Sequence, residues 1–400
     1  MKRDYFRIAL MALISLSLTL TSCDDKIIDD DDKDTGNVIV TENITTNTTW
    51  NKDNVYQLGG RITVVNGATL TIEAGTIIKG EAGTGPNATA LLVARGGQLI
   101  AEGTANAPII FTSVADEISP EQVATGDFRS PNLDADINGL WGGVIILGKA
   151  RISASNDVGD VSEVQIEGIP TSDPNGLYGG NDDTDNSGII KYITIRHGGA
   201  NIGSGNEING LTLGGVGSGT TIENVEIVAN QDDGIEWFGG AVSVTNAVVW
   251  NVGDDAIDTD QSWSGTLNNF VVIAPGDHNF ELDGPEGSYI AGHTIKNGYV
   301  IANTEGRNSA DLINTDDNSI VNLENIFITG IRTGQIINRV VHNVGDVNFT
   351  GIVLNVPAEN LANYVKDGNI PAGVSAGENT PAGINLSVFG WTWAKQTGAF

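Results

Sequence analysis

Cysteine is almost absent from this 400-residue sequence, because Cys23 is the only one. A single cysteine excludes an intramolecular disulfide, so packing and hydrogen bonds have to hold the fold. Positive charge is also scarce, with 20 Lys and Arg against 50 Asp and Glu and a formal net charge of −30. Since nucleic-acid binding needs a basic surface, this balance excludes nucleic acid as a partner and makes metal cations the natural counter-ions.

Long amphipathic helical patterns are missing as well, and so are a phosphate-binding loop, a dinucleotide fingerprint and a nucleophile elbow. In their place stand short runs rich in Val, Ile and Thr, such as residues 62–72 and 91–100, each closed by Gly, Asn or Asp. Runs of this length and composition predict strands separated by turns. The sequence therefore predicts an all-β protein.

A repeat becomes measurable from residue 220 onward. An Asn flanked by apolar residues recurs at intervals of 22, 23, 28 and 28 residues, at Asn224, Asn246, Asn269, Asn297 and Asn325. A regular period of this size is typical of stacked coils, and three short strands with three turns fill one period. A leucine-rich repeat would need a helix in each unit, and a propeller needs about 40 residues per blade. The repeat therefore predicts a parallel β-helix in a single stack, with the Asn residues stacked as a structural ladder.

Two segments interrupt this rhythm with Pro, Asp, Asn and Gly, at residues 114–138 and 170–188. They predict loops that project from the wall of the helix. Residues 357–364 predict one short helix. Near the end of the sequence, Trp391 and Trp393 predict an aromatic cap over the open end of the stack.

The first residues predict export. Three basic residues precede an apolar run at residues 8–20, which is too short for a permanent membrane span and is typical of a signal peptide. The run ends in Leu-Thr-Ser-Cys at residues 20–23, which resembles the lipobox of bacterial lipoproteins. In that family the Cys, here Cys23, becomes the first residue of the mature protein and carries the acyl chains.

An Asp-rich segment follows at residues 24–34, and a charge run of this kind predicts a flexible tether. It also resembles the acidic export signal of surface-exposed lipoproteins in Bacteroidetes-type bacteria. We therefore expect a protein held at the outer membrane by lipid on Cys23 and exposed at the cell surface. The expected organisation is a signal peptide at 1–22, an acidic tether at 23–37 and the β-helix domain at 38–400.

Several stretches of the body resemble a widespread group of secreted Bacteroidetes β-helix proteins in the pectin-lyase-like superfamily. These stretches are residues 139–148, 178–183, 206–215, 232–240 and 391–394. The resemblance implies a right-handed parallel β-helix at the cell surface. It implies no particular activity, because this fold carries lyases, hydrolases and non-catalytic binding proteins.

Acidic residues concentrate in four segments that fall into register when the coils are aligned on the marker Asn. The alignment predicts two columns, two residues apart and on one face. The first contains Glu236, Asp258, Glu281 and Asn314, and the second contains Asp260, Asp283 and Asp316. Stacked carboxylates repel one another, so they either take up protons or hold a cation, and Ca²⁺ suits such a set of oxygens.

We therefore expect a calcium site among Asp258, Asp260, Glu281, Asp283 and Asp316. The alternative is that these residues are solvated turn acids on a generally acidic surface.

Aromatic residues flank the same segments. Trp237 and Trp263, beside Glu236, predict a surface on which a sugar ring can stack, since indole is apolar on its face and the neighbours are polar. Trp250 and Phe238 are expected in the core.

A catalytic alternative rests on Asp233, Asp254, Asp255 and His278, whose coil spacing resembles that of polygalacturonase-type glycosidases of the same fold. Such an enzyme hydrolyses a glycosidic bond between paired carboxylates. Two departures weaken the resemblance: His278 lies in Gly-Asp-His-Asn instead of Gly-His-Gly, and no Arg-x-Lys follows. A lyase would need a base beside the cation, and the bases available are Lys296, Arg307 and Arg332.

The function expected from the sequence is binding of an extracellular polysaccharide or another surface ligand, with calcium as a cofactor. Two alternatives remain. One is cleavage of a polysaccharide by hydrolysis or elimination, and the other is a structural or adhesive stalk.

Overall fold

Two long parallel sheets wind this chain into a right-handed parallel β-helix, as the sequence predicted. The computed structural model describes residues 36–202, 207–339 and 346–400, all within one compact unit. The predicted signal peptide, Cys23 and nearly all of the predicted tether lie outside the described residues. The first strand begins at Asn37, one residue before the predicted start of the domain.

The first sheet, sheet A, has 16 strands. They are β1 (Asn37–Val40), β2 (Thr48–Trp50), β3 (Val55–Leu58), β5 (Thr69–Ile72), β6 (Ile77–Gly80), β8 (Gln98–Glu102), β9 (Ile109–Ser113), β15 (Gly188–Arg196), β17 (Thr221–Val228), β19 (Val244–Trp250), β21 (Thr266–Ile273), β23 (His293–Ile301), β27 (Ile320–Thr329), β29 (Asp346–Thr350), β30 (Ile352–Leu354) and β31 (Val374–Ala376).

The second sheet, sheet B, has nine strands. They are β4 (Arg61–Val64), β7 (Ala90–Val93), β10 (Val144–Leu147), β16 (Leu211–Gly214), β18 (Ile235–Phe238), β20 (Ile257–Asp260), β22 (Glu281–Leu282), β26 (Ile313–Thr315) and β28 (Ile337–Arg339). Three antiparallel hairpins lie outside the two sheets: β11 (Ala154–Asn156) with β12 (Gly159–Val161), β13 (Val164–Gln165) with β14 (Leu177–Tyr178), and β24 (Asn303–Thr304) with β25 (Arg307–Asn308).

In the part of the chain that the structure describes, helices are few and short. The α-helices are α1 (Pro120–Ala124) and α2 (Trp393–Gln396), and the 3₁₀ helices span Gly85–Asn87, Pro174–Gly176, Ala358–Tyr364, Lys366–Gly368 and Leu386–Phe389. The helix expected at residues 357–364 is thus present as a 3₁₀ helix. Among the described residues, none of the helices has the length and apolar character needed to cross a bilayer.

The marker Asn residues form the bend line of the helix. Each long strand of sheet A contains one residue in the left-handed region at its middle, where Asn224, Asn246 and Asn269 have φ of 58°, 60° and 57°. Asn tolerates this conformation better than most residues. The side chains also stack, since Asn246 Nδ2 donates to Asn224 Oδ1 at 3.0 Å and Asn269 Nδ2 donates to Asn246 Oδ1 at 2.7 Å. This confirms the predicted ladder over these three coils, and its role is to turn them in the same way. Asn297 Nδ2 donates to Asn268 Oδ1 at 2.7 Å instead of to Asn269, and Asn325 Nδ2 donates to Asn297 Oδ1 at 3.3 Å.

The interior of the coils is a continuous apolar core. Along β18, Ile235 and Trp237 point into this core, whereas Glu236 between them points outward, as the two-residue period of a strand requires. The next strands repeat this alternation, so the acidic positions of sheet B share the outer side. Because alternate residues of each strand are buried in the core, the residues between them are the ones that lie on the outer side.

The loop region before β15 covers the outer side of the first coils of sheet B. Ile152, Ile166 and Tyr178 pack on outward apolar residues of β7, β10 and β18, and Tyr178 contacts Phe238 with ring centroids 5.9 Å apart. The acidic positions begin where this cover ends. Residues 114–138 also form an external loop, although it contains α1, which the sequence did not predict.

The expected aromatic cap is wrong. Residues 385–400, here called the strap, run along the outer side of sheet A, where Trp391 meets Tyr192 and Trp393 meets Trp250. The reason is that the outer side of β19 and β21 is apolar and needs cover. At the end of the stack, Leu361 from a 3₁₀ helix packs against the core.

Candidate functional site

The outward carboxylates of β18, β20 and β22 stand in the register expected from the sequence. Glu236 pairs with Asp258, Asp258 with Glu281, and Glu281 with Asn314. In the turns that lead into these strands, further acids stack on one another coil by coil. We call this surface the acidic face, and its members are Asp232, Asp233, Glu236, Asp254, Asp255, Asp258, Asp277, His278 and Glu281.

Four groups on the acidic face bring three ligand atoms within 4.8 Å of one another. They are Asp233 with Glu236 and Asp258, Asp255 with His278 and Glu281, Asp232 with Asp233 and Asp254, and Asp254 with Asp255 and Asp277. Oxygen atoms this close match the arrangement in which one hard cation is shared by several carboxylates. The expected metal ligands Asp258 and Glu281 thus lie in compact groups.

The second expected column does not join any of these groups among the described residues. Asp283 follows Asp260 on the next coil, where the Asp283 amide donates to Thr259 O at 2.8 Å. Burial and the neighbouring charges raise the pKa of Asp260 to about 7 and that of Asp283 to about 6. Asp316 accepts from the Asn318 amide at 3.0 Å and closes its own turn. This column lies beside the compact groups and supplies charge to them.

Burial of unpaired acids dominates the electrostatics of the acidic face. Glu236 is 5% exposed, and burial, followed by the charge of Asp233, raises its pKa well above the ordinary value. Burial and the charge of Glu236 do the same to Asp258. Burial and neighbouring acids raise the pKa of Asp232 to about 7 and that of Asp254 to about 6. Near neutral pH these groups therefore either hold protons or need a cation.

His278 is the one basic side chain with ion pairs on the acidic face among the described residues. Its Nδ1 lies 2.9 Å from Asp255 Oδ1, and its Nε2 lies 3.4 Å from Asp277 Oδ1. Burial opposes protonation of His278, but the bond and charge of Asp255 outweigh it and raise the pKa to about 9. Burial and the contact with Asp255 raise the pKa of Glu281 to about 9 as well. Asp255 is thus ionised between a histidine cation and a protonated glutamic acid.

Several members of this surface were not proposed as site residues from the sequence. Asp232 and Asp277 precede the singled-out residues by one position, so the same coil alignment contains them. Asn209 donates from Nδ2 to Glu236 Oε2, and Glu167 lies close enough to raise the pKa of Asp232 through its charge. Asn209 lies on a coil without an acidic motif, and Glu167 lies in the covering loop, so no repeat pattern identifies either residue.

The predicted sugar platform is wrong. Trp237 is 0% exposed and Trp263 is 1% exposed, and the two rings stack inside the β-helix with centroids 4.5 Å apart. Trp237 follows the outward Glu236 directly on β18, so it has to point inward. Glu236 itself lies on the acidic face. Phe238 is buried as expected, whereas Trp250 is partly exposed.

The residues of the catalytic alternative do lie together. The Asp255 amide donates to Asp233 Oδ1 at 2.9 Å, and Asp255 pairs with His278. Inverting glycosidases separate their two carboxyl groups by about 6.5–9.5 Å to admit a water. Oxygens of Asp233 and Asp254 lie within 4.8 Å of each other, and this spacing suits a shared proton or cation better than an intervening water.

Comparison with known families gives one match. The family described as "Pectate-lyase like beta helix domain" matches residues 42–394. No curated protein and no solved structure matches the chain significantly.

Proposed function

Because the chain belongs to the pectate-lyase-like β-helix domain family, we propose that it binds polysaccharide through a divalent cation held on its acidic face. The observation that carries this proposal is the stacking of Glu236, Asp258 and Glu281 on adjacent strands of sheet B. Ca²⁺ is the ion that fits best, because it accepts six to eight oxygens in flexible geometry.

Repulsion within the acidic face supports the cation. Two carboxylates ~5 Å apart repel by about 3 kcal/mol at an effective dielectric near 20. Asn209 supplies one amide donor to Glu236, and His278 supplies one positive charge, which faces Asp255. A bound Ca²⁺ would turn the remaining repulsion between Glu236 and Asp258 into shared attraction, and would displace the proton from Glu281.

The same cation would also provide the positions at which the polysaccharide binds. An acidic surface without a cation repels uronate carboxylates and offers few hydrogen-bond donors to sugar oxygens. A cation held by three or four protein oxygens keeps open positions, which carboxylate or hydroxyl oxygens of a glycan can fill. Binding at this face is therefore expected to require the cation.

A glycan-array screen with and without EDTA tests the proposal, followed by calorimetry with Ca²⁺ alone. We expect Ca²⁺ to raise the melting temperature by mass action, and EDTA to remove the glycan signal. The variant Glu236→Gln/Asp258→Asn should lose both responses. Its matched control, Glu102→Gln/Glu359→Gln, neutralises two exposed acids away from the face and should keep them. Absence of any Ca²⁺ response in the wild type would contradict the proposal and favour a structural or adhesive stalk.

Hydrolysis is the second candidate function, favoured by the contacts among Asp233, Asp255 and His278. A raised pKa on Asp254, about 6, is compatible with a general acid. A reducing-sugar assay on the glycans found by the array decides the question. Activity that Asp233→Asn and Asp254→Asn both abolish, with binding retained, would replace the binding proposal by an enzymatic one.

We also propose that lipid on Cys23 attaches the protein to the outer membrane at the cell surface, on the sequence pattern alone. Cys23→Ala should give an unprocessed precursor or a soluble protein, since one covalent attachment point carries all the acyl chains. Membrane fractionation and protease accessibility of whole cells measure this. A Cys23→Ala variant that stays in the outer membrane like wild type would contradict the anchor.

A further inference from the structure

Trp250 differs from every other tryptophan of the chain. All seven lie among the described residues, and the six others are at most 4% exposed, whereas Trp250 is partly open to solvent. It is the last residue of β19 and lies on the outer side of sheet A. Its ring system meets that of Trp393 of the strap in an edge-to-face contact, with centroids 5.8 Å apart and planes at 80°. Two large rings thus form one corner, with one of them accessible.

Two adjoining cavities open on this corner. One has a volume of about 610 Å³ and is lined by Trp250 and Trp393, and the other has a volume of about 430 Å³ and is lined by Trp250 and Arg307. Trp250, Asp134 and Ala135 line both. We call the two cavities together the aromatic groove. Volumes of this size match ligand pockets, which span about 300–1,000 Å³.

The polar rim of the aromatic groove is held in place. Arg307 donates from Nε to Ala274 O at 3.1 Å and from Nη2 to Val252 O at 2.6 Å, which fixes its guanidinium at one end of the groove. Asn251 Nδ2 donates to Ala135 O at 3.1 Å and ties the loop that carries Asp134 to β19. The groove therefore offers a fixed guanidinium donor and an exposed carboxylate acceptor beside an indole ring.

We propose that the aromatic groove binds a neutral saccharide, with one sugar ring stacked on Trp250. An indole face matches the apolar face of a pyranose ring, and carboxylate and guanidinium groups match its hydroxyls. The lining acids are Asp127, Asp134, Asp136 and Glu305, against two arginines, so the local charge disfavours an anionic glycan. This site lies on sheet A, needs no cation and does not depend on the acidic face.

Titration of the full-length protein in EDTA with soluble neutral polysaccharides tests the proposal. The probes are xyloglucan, galactomannan, arabinoxylan, mixed-linkage β-glucan and α-mannan, measured by affinity electrophoresis and calorimetry. We expect at least one to bind. Trp250→Ala should weaken that binding about tenfold or more, as for a central aromatic contact, and Trp250→Phe should restore most of it. Glu236→Gln/Asp258→Asn should bind these probes like wild type.

Chemical modification keeps the test decisive if Trp250→Ala fails to fold. N-bromosuccinimide oxidises accessible indoles, so Trp250 should react first, and the bound polysaccharide should protect it, as read by peptide mass spectrometry. Asp134→Ala changes only an exposed loop residue and should weaken binding without lowering the melting temperature. Absence of EDTA-resistant binding to all five probes, or binding without protection of Trp250, would overturn the proposal. Either result leaves the cation-dependent binding at the acidic face untouched.

Discussion

The two outer surfaces of the β-helix surround most of their buried carboxylates with different neighbours. On sheet A, Asp116 and Glu226 are at most 1% exposed, and both lie near the buried guanidinium of Arg196. Arg196 Nε lies 3.1 Å from Asp116 Oδ2, and the amide of Ala394 in the strap donates to Glu226 at 2.9 Å. On sheet B, the nearest charges to Glu236 are other carboxylates.

This difference distinguishes buried carboxylates that stabilise the fold from buried carboxylates that could bind a ligand. Burial raises the pKa of Asp116, but Arg196 and hydrogen bonds from Thr112 and Ser130 outweigh it, so that acid is ionised and satisfied. At Glu226, burial prevails over the strap amides and Arg196, so its pKa is raised. On sheet B, Asp255 has His278 as a cationic partner, whereas Glu236 and Asp258 have no cationic side chain beside them and their pKa values are raised by burial and by neighbouring acids. Buried acids with fixed protein partners therefore indicate stability, and buried acids without them indicate a site.

The largest effect is expected from removal of the partner on sheet A. Arg196→Met leaves Asp116 buried without its cation and should lower the free energy of unfolding by about 3–5 kcal/mol. Urea denaturation measures it. Arg129→Met is the matched control, because Arg129 pairs with Asp127 at the exposed surface, where solvent screening leaves an ion pair little effect on stability. Equal losses in the two variants would remove the distinction between the surfaces.

On sheet B, substitution of the buried acids is expected to raise the free energy of unfolding. Glu236→Gln/Asp258→Asn removes two mutually repelling groups, so in EDTA at pH 8 it should raise the free energy of unfolding by about 1–3 kcal/mol. Thermal denaturation and urea titration measure this gain, and Glu102→Gln/Glu359→Gln should show little change. A double variant less stable than wild type in EDTA would mean that the protein itself satisfies these acids.

The pH dependence sharpens the same comparison. Asp254 and Asp283 titrate at about 6 and Asp232 and Asp260 at about 7 in the folded state, against about 3.9 in an unfolded chain. Between these values the folded state binds more protons, so stability falls as the pH rises from about 4 to 7. In EDTA the melting temperature should fall across this window. Millimolar Ca²⁺ should flatten the fall, and an equally steep fall with Ca²⁺ would contradict cation binding.

A local effect is expected at the bend line that both surfaces share. Asn246→Ala loses two side-chain amide bonds and puts Ala at a φ of 60°, which should cost about 1–3 kcal/mol. Asn246→Gly loses the same bonds but tolerates the backbone conformation, so it should cost less. Chemical denaturation of the two variants separates backbone from side chain. A Gly variant that is less stable than the Ala variant would show that the backbone conformation is not what selects Asn here.

The columns of acids could be predicted from the sequence because one repeated residue fixes the register of every coil. Once Asn224, Asn246 and Asn269 are aligned, Glu236 and Asp258 fall opposite each other, as they do in the structure. The same alignment could have corrected the prediction that Trp237 lies on the surface. Adjacent residues on a strand point to opposite sides, so an outward Glu236 excludes an outward Trp237.

The positions of the strap and the aromatic groove could not be predicted from the repeat. Asn385 bonds to Asn269 across 116 residues, and Gln396 reaches the Phe128 amide across 268 residues. No periodicity links these segments. Their contact depends on which outer surfaces remain apolar after the coils have stacked, which is a property of the assembled fold.

The strap also has a mechanical consequence. Each coil of a solenoid contacts only its neighbours, so the coils are joined in series. A pull along the axis therefore loads the terminal strand pair first, and the coils separate one after another. The strap binds Phe128 in a loop, Glu226 on β17 and Asn269 on β21, and so provides a second connection in parallel with the strand pairs between them. Force has to detach the strap before these coils can separate one by one. Under such a pull, the middle of the stack would yield last.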